Sequence, residues 1–172
     1  MARTETIIHA RPDAVFAVLA DARAFPGFVV GAKRVRYFDP RWPEPGTTIH
    51  HTVGVGPLAI RDETEATTCD PPHLLVVRPK IRPFVTAETS FRLEPHGEED
   101  TLLRVDEYAV DGPLAPVWPG PLDGLMALRN RRVVRRLARM AEARQAVQRL
   151  DGSDGGDPRS EDPRLGDRPT AD

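Results

Sequence analysis

The 172-residue sequence has a single cysteine, few aromatic residues and almost no net charge. With Cys69 as its one cysteine, an intramolecular disulfide framework is excluded, which is compatible with a reducing compartment. The formal net charge of −2 gives no overall field that would recruit nucleic acid or an anionic membrane. Long hydrophobic runs are missing as well, because stretches such as residues 14–20 are far shorter than the roughly 20 residues of a membrane-spanning helix.

The first residues lack the long apolar stretch of a secretory signal, so we expect a cytoplasmic protein. We expect one domain over residues 1–150, which is long enough to bury a real core. Residues 151–172 are rich in Asp, Gly, Pro and Ser, and so few apolar groups cannot offset the entropy of ordering the chain. They predict a disordered acidic tail that is solubilising or, alternatively, an acidic interaction arm.

The order of predicted elements is one strand, two short helices, about six strands and a long helix. Residues 4–10 alternate as a strand does, and residues 11–21 combine an early proline with apolar residues at helical spacing. A second short helix or a turn follows at 21–29. The next strands are linked closely enough to predict an antiparallel meander, at 33–38, 47–55, 58–68, 74–77, 84–93 and 102–110. A proline-rich loop at 112–121 precedes a proline-free stretch, 122–150, which predicts a helix roughly 40 Å long.

The segment Ala10-Arg-Pro-Asp-Ala-Val-Phe-Ala-Val-Leu-Ala-Asp21, followed by Phe25-Pro-Gly-Phe28, resembles the opening of the START-like (SRPBCC, helix-grip) superfamily. The resemblance covers about residues 3–148 and is strongest to the polyketide cyclase/dehydrase and lipid-transport branch. It implies an α+β helix-grip fold, in which a curved antiparallel sheet of about seven strands surrounds a long C-terminal helix. It also implies an internal cavity for a hydrophobic ligand. Phe28 stands where relatives often carry tryptophan, which should alter the cavity shape.

Four polar residues interrupt the strand faces that we expect to be turned towards the long helix: His51, Asp62, Thr89 and Glu107. If residues 56 and 57 form a two-residue connection, His51 lies directly opposite Asp62, with Cβ atoms about 5 Å apart. The same counting places Glu107 near Thr89. A carboxylate beside an imidazole raises its pKa and suits proton transfer. Equally, the pair could be structural, could bind a polar ligand group, or could face outwards after a one-residue register slip.

We predict a ligand site lined by apolar side chains and these polar groups, with the 113–120 loop as its lid. His51 and Asp62 are also the candidate catalytic residues. The predicted lining is Phe16, Phe28, His51, Val53, Ile60, Asp62, Thr64, Thr89, Phe91, Glu107, Trp118, Leu125 and Met126.

Metal and cofactor sites are not predicted. His50 and His51 are adjacent on a strand and therefore point to opposite faces, and no further ligand stands at metal-binding spacing. The Gly54-Val55-Gly56 segment lacks a third glycine and joins two strands, so it fails as a dinucleotide fingerprint.

The predicted terminal helix is rich in arginine. A solvated outer face explains this pattern, and contact with an anionic membrane or an acidic partner is the alternative. Nucleic acid is disfavoured because aromatic residues do not alternate with the basic ones. Nothing in the sequence sets the oligomeric state. The arginines are Arg129, Arg131, Arg132, Arg135, Arg136, Arg139, Arg144 and Arg149.

Three functions remain open at this point. The first is a module that binds a small apolar or polyketide-like ligand. The second is a cyclase or dehydratase in which His51 is the general base and Asp62 orients it. The third is an accessory protein that acts through the arginine-rich helix.

Overall fold

A computed structural model describes residues 2–54, 59–81, 83–113, 115–117 and 123–153. Three α-helices lie in these ranges: α1 (Pro12–Leu19), α2 (Phe25–Phe28) and α3 (Asp123–Ser153), with a short 3₁₀ turn at Ala115–Val117. The strands are β1 (Ala2–Ile8), β2 (Ala32–Phe38), β3 (Thr48–Val53), β4 (Ile60–Asp70), β5 (Leu74–Ile81), β6 (Val85–His96) and β7 (Asp100–Asp111).

The strands form one antiparallel sheet in the order β1-β7-β6-β5-β4-β3-β2. Strands β2 to β7 are therefore a meander, and β1 joins it at the far edge by pairing with β7. The sheet curves around α3, so the predicted α+β helix-grip fold is confirmed.

The first two helices are shorter than the sequence predicts. Pro12 opens α1, where its missing N–H costs nothing, and the helix ends at Leu19. The second helix, α2, has only four residues. A Cβ atom at Gly27 would lie 3.0 Å from the Met140 side chain, so this glycine lets α2 approach α3 closely.

Two central strands are longer than predicted. Each predicted strand ends before a proline, whereas the strand in the structure continues past it. The β5 strand runs past Pro79, and on its β6 side the ladder is interrupted between the pairs Val77↔Thr89 and Lys80↔Thr86. Proline has no N–H to donate to a ladder, so it is tolerated only where pairing is interrupted. The β6 strand likewise continues through Pro95, so the link between the strands predicted at 84–93 and 102–110 shortens to residues 97–99.

The long helix α3 has 31 residues and a length of about 46 Å. Its buried face is formed by Val133, Val134, Leu137 and Ala141, and it contacts α1, α2 and β1. Gln145 is also buried, and its Oε1 accepts a 2.6 Å hydrogen bond from the backbone N–H of Arg11 at the start of α1.

This helix extends three residues beyond the predicted domain end at residue 150. The predicted acidic tail falls almost entirely in residues 154–172, outside the described ranges, and stays a prediction. No helix in the described ranges is both long and apolar enough to cross a membrane.

Candidate ligand-binding cavity

A cavity of about 140 Å³ lies between the sheet and α3. Its wall is formed by strands β3 to β7, by α2 with the segment that follows it, and by the first half of α3. Most of the lining is apolar, and it includes Phe25, Phe28, Leu75, Val77, Phe91, Val105 and Val133.

One end of the cavity carries His51, Asp62 and Thr64, all of them buried. The predicted register is confirmed, because His51 pairs with Asp62 and Val53 pairs with Ile60. The predicted two-residue connection at residues 56 and 57 lies outside the described ranges. The Nε2 atom of His51 is 2.9 Å from the Thr64 hydroxyl, and the His51 ring lies 4.8 Å from the Phe25 ring.

The His51 imidazole is neutral at pH 7. Burial lowers its pKa from 6.5 to about 4, and electrostatic interactions with Arg36, His50 and Arg129 act in the same direction. The expectation of a raised pKa is therefore wrong, because desolvation of a residue only 2% exposed is the largest cause of the shift. The Nδ1 atom is buried and has no hydrogen-bond partner among the residues that the structure describes.

The other end of the cavity is organised around the buried carboxylate of Glu107. Its Oε2 accepts a 2.7 Å hydrogen bond from Asn130 Nδ2. Its Oε1 accepts longer ones from Thr89 Oγ1 at 3.5 Å and from Arg129 Nη1 at 3.4 Å. The predicted closeness of Glu107 and Thr89 is confirmed, because the two residues pair directly across β6 and β7.

Two of these α3 residues escaped the sequence analysis. Arg129 was assigned to the outer face, but its side chain lines the cavity and contacts Glu107. Asn130 is 2% exposed and lies one helical turn before Val133 on the buried face. The sequence signal that could have placed Asn130 on the buried face is its position three residues before the apolar Val133, because residues three apart lie on the same side of a helix. Trp42, which lies between the strands predicted at 33–38 and 47–55, was also missed as a lining residue.

Eight predicted lining residues surround the cavity: Phe28, His51, Val53, Asp62, Thr64, Thr89, Phe91 and Glu107. Three others lie elsewhere. Phe16 is buried in the main core, and Leu19, one turn later in α1, reaches the cavity instead. Ile60 is 40% exposed because it begins β4, and Met126 packs on a separate small cluster with Val85 and Ala87.

The remaining two predicted residues lie where the structure describes no side chain. Trp118, with half of the proposed lid, is outside the described ranges, and Leu125 lies in α3 without a described side chain. The lid therefore stays a prediction.

His50 lies on the opposite side of β3 from His51, as the strand pleat predicts. Its Nδ1 is 3.8 Å from the Glu63 carboxylate, away from the cavity. In the described part of the chain, no three His, Cys, Asp or Glu side chains cluster closely enough to hold a metal ion.

The outer side of α3 carries five exposed arginines, which we call the arginine face: Arg131, Arg132, Arg135, Arg136 and Arg139. Their spacing places them on one side of the helix. Within the described ranges, none of the five forms an ion pair, whereas Arg149 pairs with Glu99 further along α3. Among the described residues, the arginine face is therefore a concentration of positive charge without ion-pair partners.

A curved sheet gripping a long helix, with a mostly apolar cavity between them, defines a helix-grip protein. The chain belongs to the polyketide cyclase/dehydrase and lipid transport family, whose model matches residues 2–146. The resemblance seen in the sequence is thereby confirmed, and family and fold are consistent with binding of hydrophobic or polyketide ligands or with cyclase activity. No curated protein matches the chain by sequence.

Solved structures with the same fold are distant in sequence. The di-domain ARO/CYC protein StfQ of the steffimycin biosynthetic pathway has a TM-score of 0.65 at 15% identity, over 84% of this chain and 51% of StfQ. This chain thus spans about half of StfQ. A conserved protein from Geobacillus kaustophilus has a TM-score of 0.63 at 19% identity, covering 82% of this chain and 94% of that protein. A protein from Thermus thermophilus has a TM-score of 0.59 at 15% identity, covering 83% of this chain and 97% of that protein.

Proposed function

We propose that this protein binds a small, mostly apolar molecule in the cavity, with His51 and Glu107 orienting it. The observation that carries the proposal is the buried Nδ1 atom of His51, which faces an apolar cavity without a partner among the described residues. Leaving a buried polar group unpaired costs about 1–3 kcal/mol. A ligand that hydrogen-bonds to Nδ1 recovers this energy.

The volume of the cavity sets the size of that ligand. Engineered apolar cavities of about 150 Å³ stay dry and bind benzene. At about 140 Å³, this cavity suits a molecule of one ring or a short chain. The family and the likeness to StfQ support an apolar ligand of polyketide or lipid type, of which a single ring would be a small member.

The surroundings of His51 support ligand binding better than they support catalysis by this residue. An effective general base has a pKa near the working pH, whereas the pKa of His51 is lowered to about 4. The His51 ring is hydrogen-bonded to the Thr64 hydroxyl. General-base catalysis would instead use the carboxylate of Asp62 to orient the ring. His51 is therefore better suited to hold a ligand group than to abstract a proton.

Native mass spectrometry of the purified protein, with denaturing extraction of anything bound, is the first test. Toluene is then titrated calorimetrically into the wild type and into two variants of α3. Val133→Phe places a ring in the cavity wall and should abolish binding, whereas Val147→Phe, at a position 56% exposed, should leave it unchanged. Absence of a co-purifying molecule together with absence of toluene binding to the wild type would refute the proposal.

A further inference from the structure

We propose that the ligand is an uncharged molecule with hydrogen-bond donors at two opposite ends and an apolar ring between them. This inference rests on the function proposed above and specifies the chemistry of the molecule that the cavity accepts.

The cavity has two polar ends and an apolar middle. The first end is built by His51 of β3 and by Asp62 and Thr64 of β4. The second end is built by Thr89 of β6 and Glu107 of β7, together with Arg129 and Asn130 of α3. Between them lies β5, whose described lining residues are the apolar Leu75, Val77 and Pro79.

The volume of the cavity limits the size of a ligand that reaches both ends. Asp62 on β4 and Glu107 on β7 are separated by β5 and β6, so their strands are three spacings apart in the sheet. Both side chains nevertheless line the same cavity of about 140 Å³. A molecule of one ring fills a cavity of this volume and can carry polar groups towards both ends.

Both ends offer hydrogen-bond acceptors. A carboxylate provides about four acceptor sites, and Asp62 and Glu107 each present one to the cavity. Carboxylates donate nothing when ionised, so the groups that they hold must donate. Hydroxyl groups meet this requirement at both ends, while ethers, ketones and methyl groups do not.

The charges of the lining argue against an acidic ligand. Two carboxylates, Asp62 and Glu107, share the cavity with one guanidinium, that of Arg129. That guanidinium already lies 3.4 Å from Glu107 Oε1, and His51 is neutral at pH 7. A ligand carboxylate would be buried beside two other carboxyl groups in a poorly solvated space, and a buried charge without a partner is costly.

A series of ring compounds of nearly equal size tests the inference on the wild-type protein. The probes are p-xylene, p-cresol and hydroquinone, which carry none, one and two hydroxyl groups, and 4-hydroxybenzoate, which carries a charge. Dissociation constants are measured calorimetrically at pH 7 in degassed buffer. We expect hydroquinone to bind about three- to tenfold more tightly than p-cresol, and 4-hydroxybenzoate at least about tenfold more weakly than hydroquinone.

Isosteric variants assign the effect to the two ends. Glu107→Gln and Asp62→Asn each replace one oxygen by an N–H donor and remove an acidic group. Each should abolish the preference for hydroquinone over p-cresol and improve the relative binding of 4-hydroxybenzoate. Glu98→Gln, an exposed site in the β6–β7 turn, is the matched control and should behave like the wild type.

The outcomes separate this inference from the function on which it rests. A purely apolar cavity would bind p-xylene best and hydroquinone worst, because each exchange of methyl for hydroxyl loses apolar burial. That order, or tighter binding of 4-hydroxybenzoate than of hydroquinone, would overturn the two-donor ligand and leave the binding function standing. Failure of all four probes to bind would overturn both.

Discussion

The buried imidazole of His51 should make the folded protein lose stability as the pH falls from 6.5 towards 4. Its pKa is about 4 in the folded chain against an ordinary value of 6.5. The free energy that corresponds to this difference is about 3 kcal/mol, since each pKa unit is worth about 1.36 kcal/mol. Native domains have only about 5–15 kcal/mol of stability, so the effect is large enough to measure.

The sign follows from which state binds the proton. Above pH 6.5, His51 is neutral in both states and contributes no pH dependence. Between pH 6.5 and 4, the unfolded chain takes up a proton that the folded chain does not, so the unfolded state is stabilised relative to the folded one. Below pH 4, both states are protonated and this residue causes no further loss.

Urea unfolding at pH 7.5 and pH 4.5 measures the effect. Between these values, the free energy of unfolding of the wild type should fall by about 2.5 kcal/mol more than that of His51→Gln, in which the titrating group is gone. Carboxylates that titrate at low pH affect both proteins equally and cancel in the comparison. His96→Gln removes an exposed histidine and should retain the full wild-type pH dependence.

Two results would refute this reasoning. Equal pH dependence in the wild type and His51→Gln would mean that His51 is not held neutral by burial. Titration of the His51 ring protons near pH 6.5 in the NMR spectrum of the folded protein would mean the same.

Two further perturbations test the second end of the cavity and the outer surface of α3. Asn130→Ala removes the 2.7 Å hydrogen bond to the buried Glu107 carboxylate, so we expect a loss of about 1–3 kcal/mol in urea unfolding. Gln148→Ala, exposed on the same helix, should cost less than about 0.5 kcal/mol, and equal losses would contradict the assigned role. Replacing the arginine face by glutamine should abolish low-salt sedimentation with phosphatidylserine vesicles, because each arginine near such a surface contributes about 1 kcal/mol. Vesicle binding that survives this replacement, or its absence in the wild type, would exclude membrane contact through this face.

The strand pairing of the cavity could be predicted from the sequence because strand geometry leaves few choices. Successive side chains alternate between faces, and a short connection allows few registers. His51 could therefore be placed opposite Asp62, and Thr89 opposite Glu107, by counting residues. The long helix was equally accessible, since a proline-free stretch with apolar residues at helical spacing has one simple interpretation.

The electrostatics of the cavity could not be predicted in the same way. Pairing predicts which groups are neighbours, whereas a pKa depends on how completely all surrounding atoms remove water. His51 illustrates the difference, because its neighbour was predicted correctly and the direction of its pKa shift was not. Arg129 is similar, since it lies next to the boundary between the buried and exposed faces of α3, where a long side chain can turn either way.

The polar lining of the cavity is an energetic cost to the folded chain. Apolar side chains of similar size at His51 and Glu107 would avoid desolvating an imidazole and a carboxylate, and such replacements of buried polar groups are often neutral or stabilising. Most of the lining is already apolar, so a continuous apolar core was structurally accessible to this fold. Residues that weaken the fold at the wall of a cavity are expected where binding determines the sequence, because natural proteins depart from the rules of stability mainly at functional sites. The placement of His51 and Glu107 at opposite ends of one apolar cavity therefore supports ligand recognition independently of the family relationship.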